Sequence, residues 1–551
     1  MKRHGCALLV LFALLAALAA PVSAAAYTDT AGHWAASTIE KARQYGLMVG
    51  DGSGAFYPDT YLNRASFVTI LCQMFGWDAV ESASPSYLDC DAGHWAYGYV
   101  EAARQHDVTD RGGFFRPDDY ITREEMAIML VRALGYQDLA EGDSAPSLPF
   151  SDVTANQGYI ALAWRIGMVA GIEENGQLLF KPNLSATRAE AATMLVQVYE
   201  RYVSTVSWLH GFYAISSYNQ IGLTDAMDAV SLGWARMEYT ADGGPTLNTT
   251  SANGNGWSIP QDPQAATGYL EEHGTPYNLC VFGSASDTVT LSDGSTTSTV
   301  AAVTGSAANR AQAVAALVGA AGDYAGLTID FEGLKDRNSL KENYVVFLQE
   351  LRAALPEDKS LYVCVQPGPY NDGYDFRALG EICDKVILMA HDYRPPVSDL
   401  HVGSVPSEAF ALTPFSKIYD ALVEITDPES GVADRSKLAL AVSMDTTGFQ
   451  IDENGRVAAA QYVRPSLETL SQRLAQRDTV VTYSPTARNP YAVYTDEAGL
   501  RYQVWFEDGR SIADKMELAR MFGINGLSIW RLGNIPTYDN YDVWSAVLAL
   551  R

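Results

Sequence analysis

Positive charge is what this chain most lacks. Its 551 residues carry 38 Lys and Arg against 65 Asp and Glu, a formal net charge of -27. That balance excludes bulk attraction to nucleic acid or anionic membranes, so any anionic partner must be held by local Arg or Lys groups. Cysteine is scarce as well. Of the six, Cys6 precedes an apolar N-terminal run, the wrong place for a lipidated cysteine. Cys72, Cys90, Cys280, Cys364 and Cys383 are an odd, scattered set that spells neither a disulfide framework nor a zinc site. A Cys72–Cys90 bridge stays open, while Cys280 and Cys364 lie in apolar strand-like runs and read as core. Beyond residues 7–20 no run is long and apolar enough to span a bilayer, and that run is itself short for a span. No transmembrane anchor is expected. No Pro- or Ser-rich linker divides the chain.

Hydrophobic residues are 48% and charged residues 19%, enough for a sizeable core and against wholesale disorder. The length allows two to four domains. Residues 1–26 read as a secretory signal. Lys2 and Arg3 precede the apolar run, and Val22-Ser23-Ala24 and Ala24-Ala25-Ala26 offer small-residue cleavage sites.

Self-comparison of residues 27–202 shows three related units, 27–80, 87–140 and 149–202. They open with Tyr27-Thr28-Asp29, Tyr87-Leu88-Asp89 and Phe150-Ser151-Asp152. Gly32-His33-Trp34-Ala35 and Gly93-His94-Trp95-Ala96 follow in the first two, while Gln157 stands at the Trp position of the third. Each unit then has a helical pattern, a Gly-rich turn and an aromatic-x-Pro step (Phe56-Tyr57-Pro58, Phe115-Arg116-Pro117, Phe180-Lys181-Pro182). A second helix follows. Thr122 with Glu125, and Thr187 with Glu190, have capping-box spacing. Asn63 caps more simply, and Ser66 replaces the glutamate. The units resemble the S-layer homology module, usually found as three tandem copies. The resemblance implies a mostly α-helical, pseudo-threefold domain that holds anionic secondary cell-wall polysaccharide between repeats. By position, Arg64, Arg123 and Arg188 are its anion-binding candidates, since guanidinium forks suit carboxylates. The bland reading of the arginines is a surface ion pair near the helix start, and a binding role for at least two of them is the expectation favoured here. Trp34 and Trp95 stack on sugar or anchor the core, and core packing is the expectation favoured here.

Residues 203–551 alternate apolar strands with helical stretches, the pattern of an α/β fold. The expected strands are 209–215, 231–237, 277–282, 326–332, 361–365, 385–389, 438–443 and 526–530, which makes a (β/α)8 barrel of the TIM type. Helices are expected over 339–355 and 512–522, the latter with Lys515 and Glu517 among apolar positions. Polar loops at 242–258 and 284–298 sit where a barrel keeps substrate loops. An insertion at about 445–502 is positioned to wall a cleft.

The chain is organised around Gly326-Leu327-Thr328-Ile329-Asp330-Phe331-Glu332-Gly333. Alternation puts Thr328, Asp330 and Glu332 on one face, Ile329 and Phe331 on the other. The acids are either a surface strand end or a catalytic pair. Two carboxylates on one side of a substrate do not flank a scissile bond. One acid beside an orienting carboxylate suits a substrate that brings its own nucleophile, as a 2-acetamido group does. The stretch resembles the Asp-x-x-Asp-x-Asp-x-Glu signature of family 18 glycoside hydrolases. Asp330 and Glu332 match, and Ala325 and Thr328 replace the first two acids. Met389-Ala390-His391-Asp392-Tyr393 resembles that family's Met-x-Tyr-Asp strand end, with His391 at the Tyr position. Gly526-Leu527-Ser528-Ile529-Trp530 resembles its last strand, whose Trp floors the cleft. Val504-Trp505-Phe506-Glu507 and Trp530-Arg531-Leu532-Gly533 resemble the bacterial subgroup that includes spore-cortex-lytic glucosaminidases.

This resemblance implies a wall-attached, secreted hydrolase of β-linked N-acetylhexosamine glycans that retains anomeric configuration without metal or organic cofactor. Glu332 is the expected acid and base, Asp330 the orienting carboxylate. His391, Asp392 and Tyr393 help hold the acetamido group. Substrate contacts are expected from Trp530, Thr328, Phe212, Gln366 and Glu507; Glu507 reads equally well as an acid at a helix start. Peptidoglycan, chitin-type glycans and N-glycans all carry the required sugar. The rival reading is a carbohydrate-binding, inactive barrel on the same anchor, fed by Ala325, Thr328 and His391.

Overall fold

The computed structural model describes residues 27–142, 147–255, 263–391, 393–406 and 408–551. The expected signal segment (1–26) and Asp392 lie outside the described residues. The chain divides into two compact units, the first ending at Tyr199 and the second running Glu200–Arg551.

In the first unit each repeat supplies two helices: Ala36–Gln44 and Arg64–Phe75, Tyr97–Gln105 and Arg123–Ala133, Gln157–Arg165 and Arg188–Tyr202. The expected caps form. Asn63 accepts from the Ser66 N–H, and Thr122 with Glu125 makes a capping box. Thr187 and Glu190 exchange the same two bonds, at 2.8 and 3.2 Å. The segments before the second helices close a ring of backbone hydrogen bonds. Leu62 N–H donates to Ala186, Ala186 to Ile121, and Ile121 back to Leu62, at 2.9–3.0 Å. All three repeats therefore share one axis, including the third, which lacks the Trp. Cys72 and Cys90 are both buried and free, so the bridge left open above does not form.

The second unit is a closed barrel of eight parallel strands: β1 Trp208–Tyr213, β2 Ala229–Thr240, β3 Tyr277–Ser284, β4 Gly326–Glu332, β5 Ser360–Val365, β6 Lys385–Met389, β7 Leu438–Ser443 and β8 Gly526–Trp530. β8 pairs with β1 and β1 with β2, which completes the circle. A ninth strand, Gly244–Asn248, pairs antiparallel with the end of β2. β4 shows the expected alternation. Phe331 faces outward against Phe347 and Tyr344 of helix Leu340–Ala354, with ring centroids 5.6 and 5.8 Å apart. That helix buries Leu340, Tyr344, Phe347, Leu348 and Leu351, the spacing of a single apolar face.

The barrel interior is not wholly apolar. His210 of β1 is fully buried; Nδ1 pairs with Ser528 Oγ and Nε2 with Ser231 Oγ, both at 2.8 Å. Ser231 Oγ in turn meets Thr328 Oγ1 at 2.7 Å. Burial pushes the His210 pKa down to about 3, so the ring is neutral, with one nitrogen donating and the other accepting. A His depressed from about 6.5 adds stability that is complete above about pH 6.5 and lost as pH falls toward 3. Calorimetry from pH 7 to 3 should show the barrel transition weakening by on the order of a few kcal/mol, with a flatter pH dependence in His210→Gln.

Candidate active site

The acidic end of β4 opens into a cleft of about 320 Å³ lined by Trp234, Arg236, Gly254, Asn255, Phe282, Asp330, Glu332 and Trp530. This is the C-terminal rim of the barrel, where parallel strands present their loops. Asp330 is 1% exposed, whereas Glu332 is half-buried at the mouth. Burial first, then the adjacent Glu332 carboxylate, pushes the Asp330 pKa well above the ordinary carboxylate range, while a hydrogen bond from the Cys364 thiol acts in the opposite sense. Asp330 therefore holds its proton more tightly than an exposed carboxyl would. Asp330 Oδ1 is buried with no hydrogen-bond partner among the described residues.

Two residues brace the end of β4. Gln366, just past β5, accepts from the Gly333 N–H at 2.7 Å and donates to Glu332 Oε2 at 3.1 Å. Gly333 has φ 77°, a left-handed turn that a side chain would strain. Tyr374 donates to the Phe331 carbonyl at 2.8 Å. The expected Gln366 is therefore at the site, gripping the carboxylate expected to act as the acid.

Trp530 ends β8 and forms one wall; the Trp530–Arg531 peptide is cis. Its ring lies 5.2 Å from Trp234, edge-on, and 5.4 Å from Phe212. The His391 ring is 6.4 Å from Trp530 and near-parallel to it, which places His391 beside the cleft.

Four expected contacts are not brought there. Phe212 is buried beneath Trp234 and Trp530 and supports the floor rather than lining it. Thr328 is fully buried, spent on Ser231 deeper in the barrel. The Tyr393 hydroxyl turns onto helix Phe415–Ile425 and donates to the Lys417 carbonyl at 3.2 Å. Glu507 is 1% exposed and ion-paired with Lys515, which is 0% exposed. The insertion also differs from expectation. It folds as a five-stranded antiparallel sheet running from Thr447–Ile451 to Arg501–Trp505, and none of the residues lining the cleft belongs to it.

The wall comes instead from β2, whose Trp234 and Arg236 the sequence reading missed. β2 breaks its register with β3 between Leu232 and Ala235, where Gly233 has φ 62°. Such a bulge inverts the alternation. Ser231 points into the barrel, and so do Trp234 and Arg236 three and five residues on. A Gly inside a strand pattern was the available signal.

In the first unit each candidate arginine reaches the next repeat. Arg64 Nε donates to the Phe115 carbonyl at 2.7 Å, Arg123 Nε to Phe180 and Arg188 Nε to Phe56, both at 2.9 Å. Each guanidinium also lies over the ring of that same phenylalanine. Arg64 is paired with Glu125 at 2.5 Å and Arg123 with Glu190 at 3.0 Å. Arg188 faces the repeat in which Ser66 stands at the glutamate position; its Nη2 donates to the Val49 carbonyl. Trp34 and Trp95 are 65% and 61% exposed, so the favoured core reading is overturned.

A parallel barrel with an acidic pair at the end of its fourth strand, facing aromatic walls, has the architecture of carbohydrate-cleaving barrels. The sequence profile described as Glycosyl hydrolases family 18 matches residues 286–534, and that of the S-layer homology domain matches residues 26–68 and 87–127. The chain thus joins S-layer homology repeats to a family 18 glycosyl hydrolase domain.

Among curated proteins, the chain is 27% identical over 216 residues to the Putative sporulation-specific glycosylase YdhD of Bacillus subtilis (strain 168), covering 38% of this chain and 47% of that protein. It is 27% identical over 217 residues to the Cortical fragment-lytic enzyme of the same organism, covering 37% and 45%. To the S-layer protein EA1 of Bacillus anthracis it is 29% identical over 195 residues, covering 34% and 22%. The chain spans about half the length of the first two. No helix among the described residues is long and apolar enough to cross a membrane.

Proposed function

We propose that the second unit hydrolyses β-linked N-acetylhexosamine glycans by substrate-assisted, configuration-retaining catalysis, and that the repeats hold it at the cell wall. The observation that carries this reading is the buried Asp330 beside the half-exposed Glu332 in a cleft walled by Trp234, Phe282 and Trp530. Glu332 gives its proton to the glycosidic oxygen as the acetamido carbonyl oxygen attacks the anomeric carbon and the glycosidic bond breaks. The product is an oxazolinium. Glu332, now a carboxylate, takes a proton from water as that water opens the ring with net retention. Asp330 Oδ1 accepts from the acetamido N–H, and the Asp330 carboxylate balances the oxazolinium charge. The indole of Trp530 stacks against the sugar, with His391 beside it.

Peptidoglycan is the favoured substrate, because the B. subtilis relatives are named a sporulation-specific glycosylase and a cortical fragment-lytic enzyme and the first unit carries S-layer homology repeats. Of the three arginine sites, that of Arg188 suits an anionic wall polymer best. It lacks the glutamate that occupies Arg64 and Arg123, and exposed Trp34 belongs to the repeat it faces.

The test is to incubate the full chain with peptidoglycan glycan strands, chito-oligosaccharides and N-glycans and to follow new reducing ends by mass spectrometry. New N-acetylhexosamine ends are expected. Sugar binding by folded protein with no cleavage of any substrate would instead establish a lectin. Trp530→Ala is expected to raise KM about tenfold through lost stacking and apolar area, with a smaller change in kcat.

A further inference from the structure

Arg236 is the cationic side chain among the residues lining the cleft. Its position follows from strand register. Arg236 of β2 is paired with Phe282 of β3, and Phe282 with Asp330 of β4. The three residues form one row across adjacent strands about 4.8 Å apart, with Glu332 one step further out on β4. The guanidinium therefore stands two strands from the acidic pair, on the same rim. Its carboxylate partner is not Asp330 or Glu332 but Asp287, in the loop after β3, which takes Nη2 at 2.8 Å. Both side chains remain partly exposed, 29% for Arg236 and 48% for Asp287. One of five N–H donors is spent on Asp287, in a group whose fork is shaped for carboxylates.

A neutral glycan can take only single hydrogen bonds to its hydroxyl and amide oxygens from such a group, whereas a carboxylate matches the whole fork. An anionic one, approaching a chain of net charge -27 and a cleft with two acids of its own, would be repelled without it. We infer that Arg236 is a specificity-determining residue that binds a carboxylate on the glycan, next to the sugar held at Asp330 and Glu332. The inference rests on the hydrolase reading above for the identity of the sugar and adds the charge of its neighbour. Two sources carry this chemistry in peptidoglycan: the 3-O-lactyl carboxylate of N-acetylmuramic acid, and the carboxylates of the stem peptide attached to it. Either would displace Asp287 from the fork.

The test uses binding, so that it stands apart from turnover. In full-length Glu332→Gln protein, calorimetry would measure Kd for glycan strands stripped of stem peptide, strands that keep it, the same strands with carboxyls reduced to alcohols, and chito-oligosaccharides. Carboxylate-bearing strands are expected to bind about tenfold to a hundredfold tighter than reduced ones, the range of one charge-assisted contact. Adding Arg236→Gln should erase that preference while Kd for chito-oligosaccharides moves by no more than about threefold. Arg236→Lys should keep part of the preference, as a charge without the fork. Asp287→Asn, which releases the fork, should strengthen it. Preference for stripped strands assigns the lactyl group, and preference confined to peptide-bearing strands assigns the stem peptide. Equal Kd for native and reduced strands, or a preference that survives Arg236→Gln, overturns the inference. Failure of wild-type protein to cleave any strand overturns the hydrolase reading and leaves these affinities readable.

Discussion

Glu332→Gln loses glycan cleavage by about a hundredfold to ten-thousandfold in kcat, the span expected when a positioned general acid is removed, while substrate Kd changes little. The amide keeps the size of the carboxylic acid and still meets Gln366, whose Nε2 donates to Glu332 Oε2 at 3.1 Å in the wild type. What it lacks is a proton to give to the leaving oxygen and a base to activate water. Loss confined to kcat identifies a group used in the transition state rather than in binding. A substrate whose leaving group needs no protonation, such as a dinitrophenyl glycoside, should recover the first step in the variant and accumulate the ring-closed intermediate. If Glu332→Gln retained a tenth or more of the wild-type kcat on natural glycan, Glu332 would not be the acid. Asp330→Asn offers the contrast. It removes the charge that balances the oxazolinium, and with it the titrating carboxyl whose pKa burial and Glu332 raise, so the acidic limb of the pH–rate profile should change as well as kcat.

Much of the barrel was legible because its strands are buried on both faces and read as unbroken apolar runs. β4, β6, β7 and β8 occupy the expected residues, from Gly326–Glu332 to Gly526–Trp530. The acidic pair was legible for the complementary reason: a carboxylate closing such a run has nowhere to go but the rim. What escaped depended on tertiary placement. Trp234 and Arg236 were hidden by the bulge at Gly233, since a period-two reading carried through the glycine puts them on the wrong face. Trp34 and Trp95 were misjudged because tryptophan is usually read as core, yet Ala35 and Ala96 beside them fill that role at 0% exposure. Tyr393 follows the β6 end closely enough in sequence to suggest the cleft, but its backbone pairs with Leu412 and carries the ring away. Glu507 had a usable signal that was left unconnected. Lys515 on the apolar face of its helix required a buried anion, and Glu507 lies two turns upstream.

Lys515→Met, for that reason, costs the barrel about 3–5 kcal/mol, the price of leaving a buried carboxylate without its cation. Glu507 and Lys515 are the hub of a cluster that ties several segments together. Lys515 Nζ also donates to Thr413 Oγ1 at 2.8 Å and Asn489 Oδ1 at 3.2 Å, and Glu507 accepts from Asn489 Nδ2 at 2.9 Å and Ser511 Oγ at 2.5 Å. Tyr541 closes the group by donating to the Glu507 carbonyl at 2.7 Å. Asn489 opens a strand of the inserted sheet, Thr413 precedes helix Phe415–Ile425, and Ser511 and Lys515 lie on helix Gly509–Met521. Burial lowers the Lys515 pKa while the Glu507 carboxylate raises it, so removing Glu507 withdraws what keeps Lys515 charged. In scanning calorimetry the barrel transition should fall on the order of 5–10 °C. Glu507→Gln together with Lys515→Met removes both charges at nearly constant volume and should recover most of that loss, because a buried pair replaced as a unit costs far less than one broken. The same variants separate structure from substrate contact. A Glu507 that touched glycan would give a raised KM in Glu507→Gln with the transition temperature unmoved. A Glu507 that clamps the inserted sheet to helix Gly509–Met521 gives the reverse, an unstable fold whose surviving native fraction binds substrate with wild-type KM.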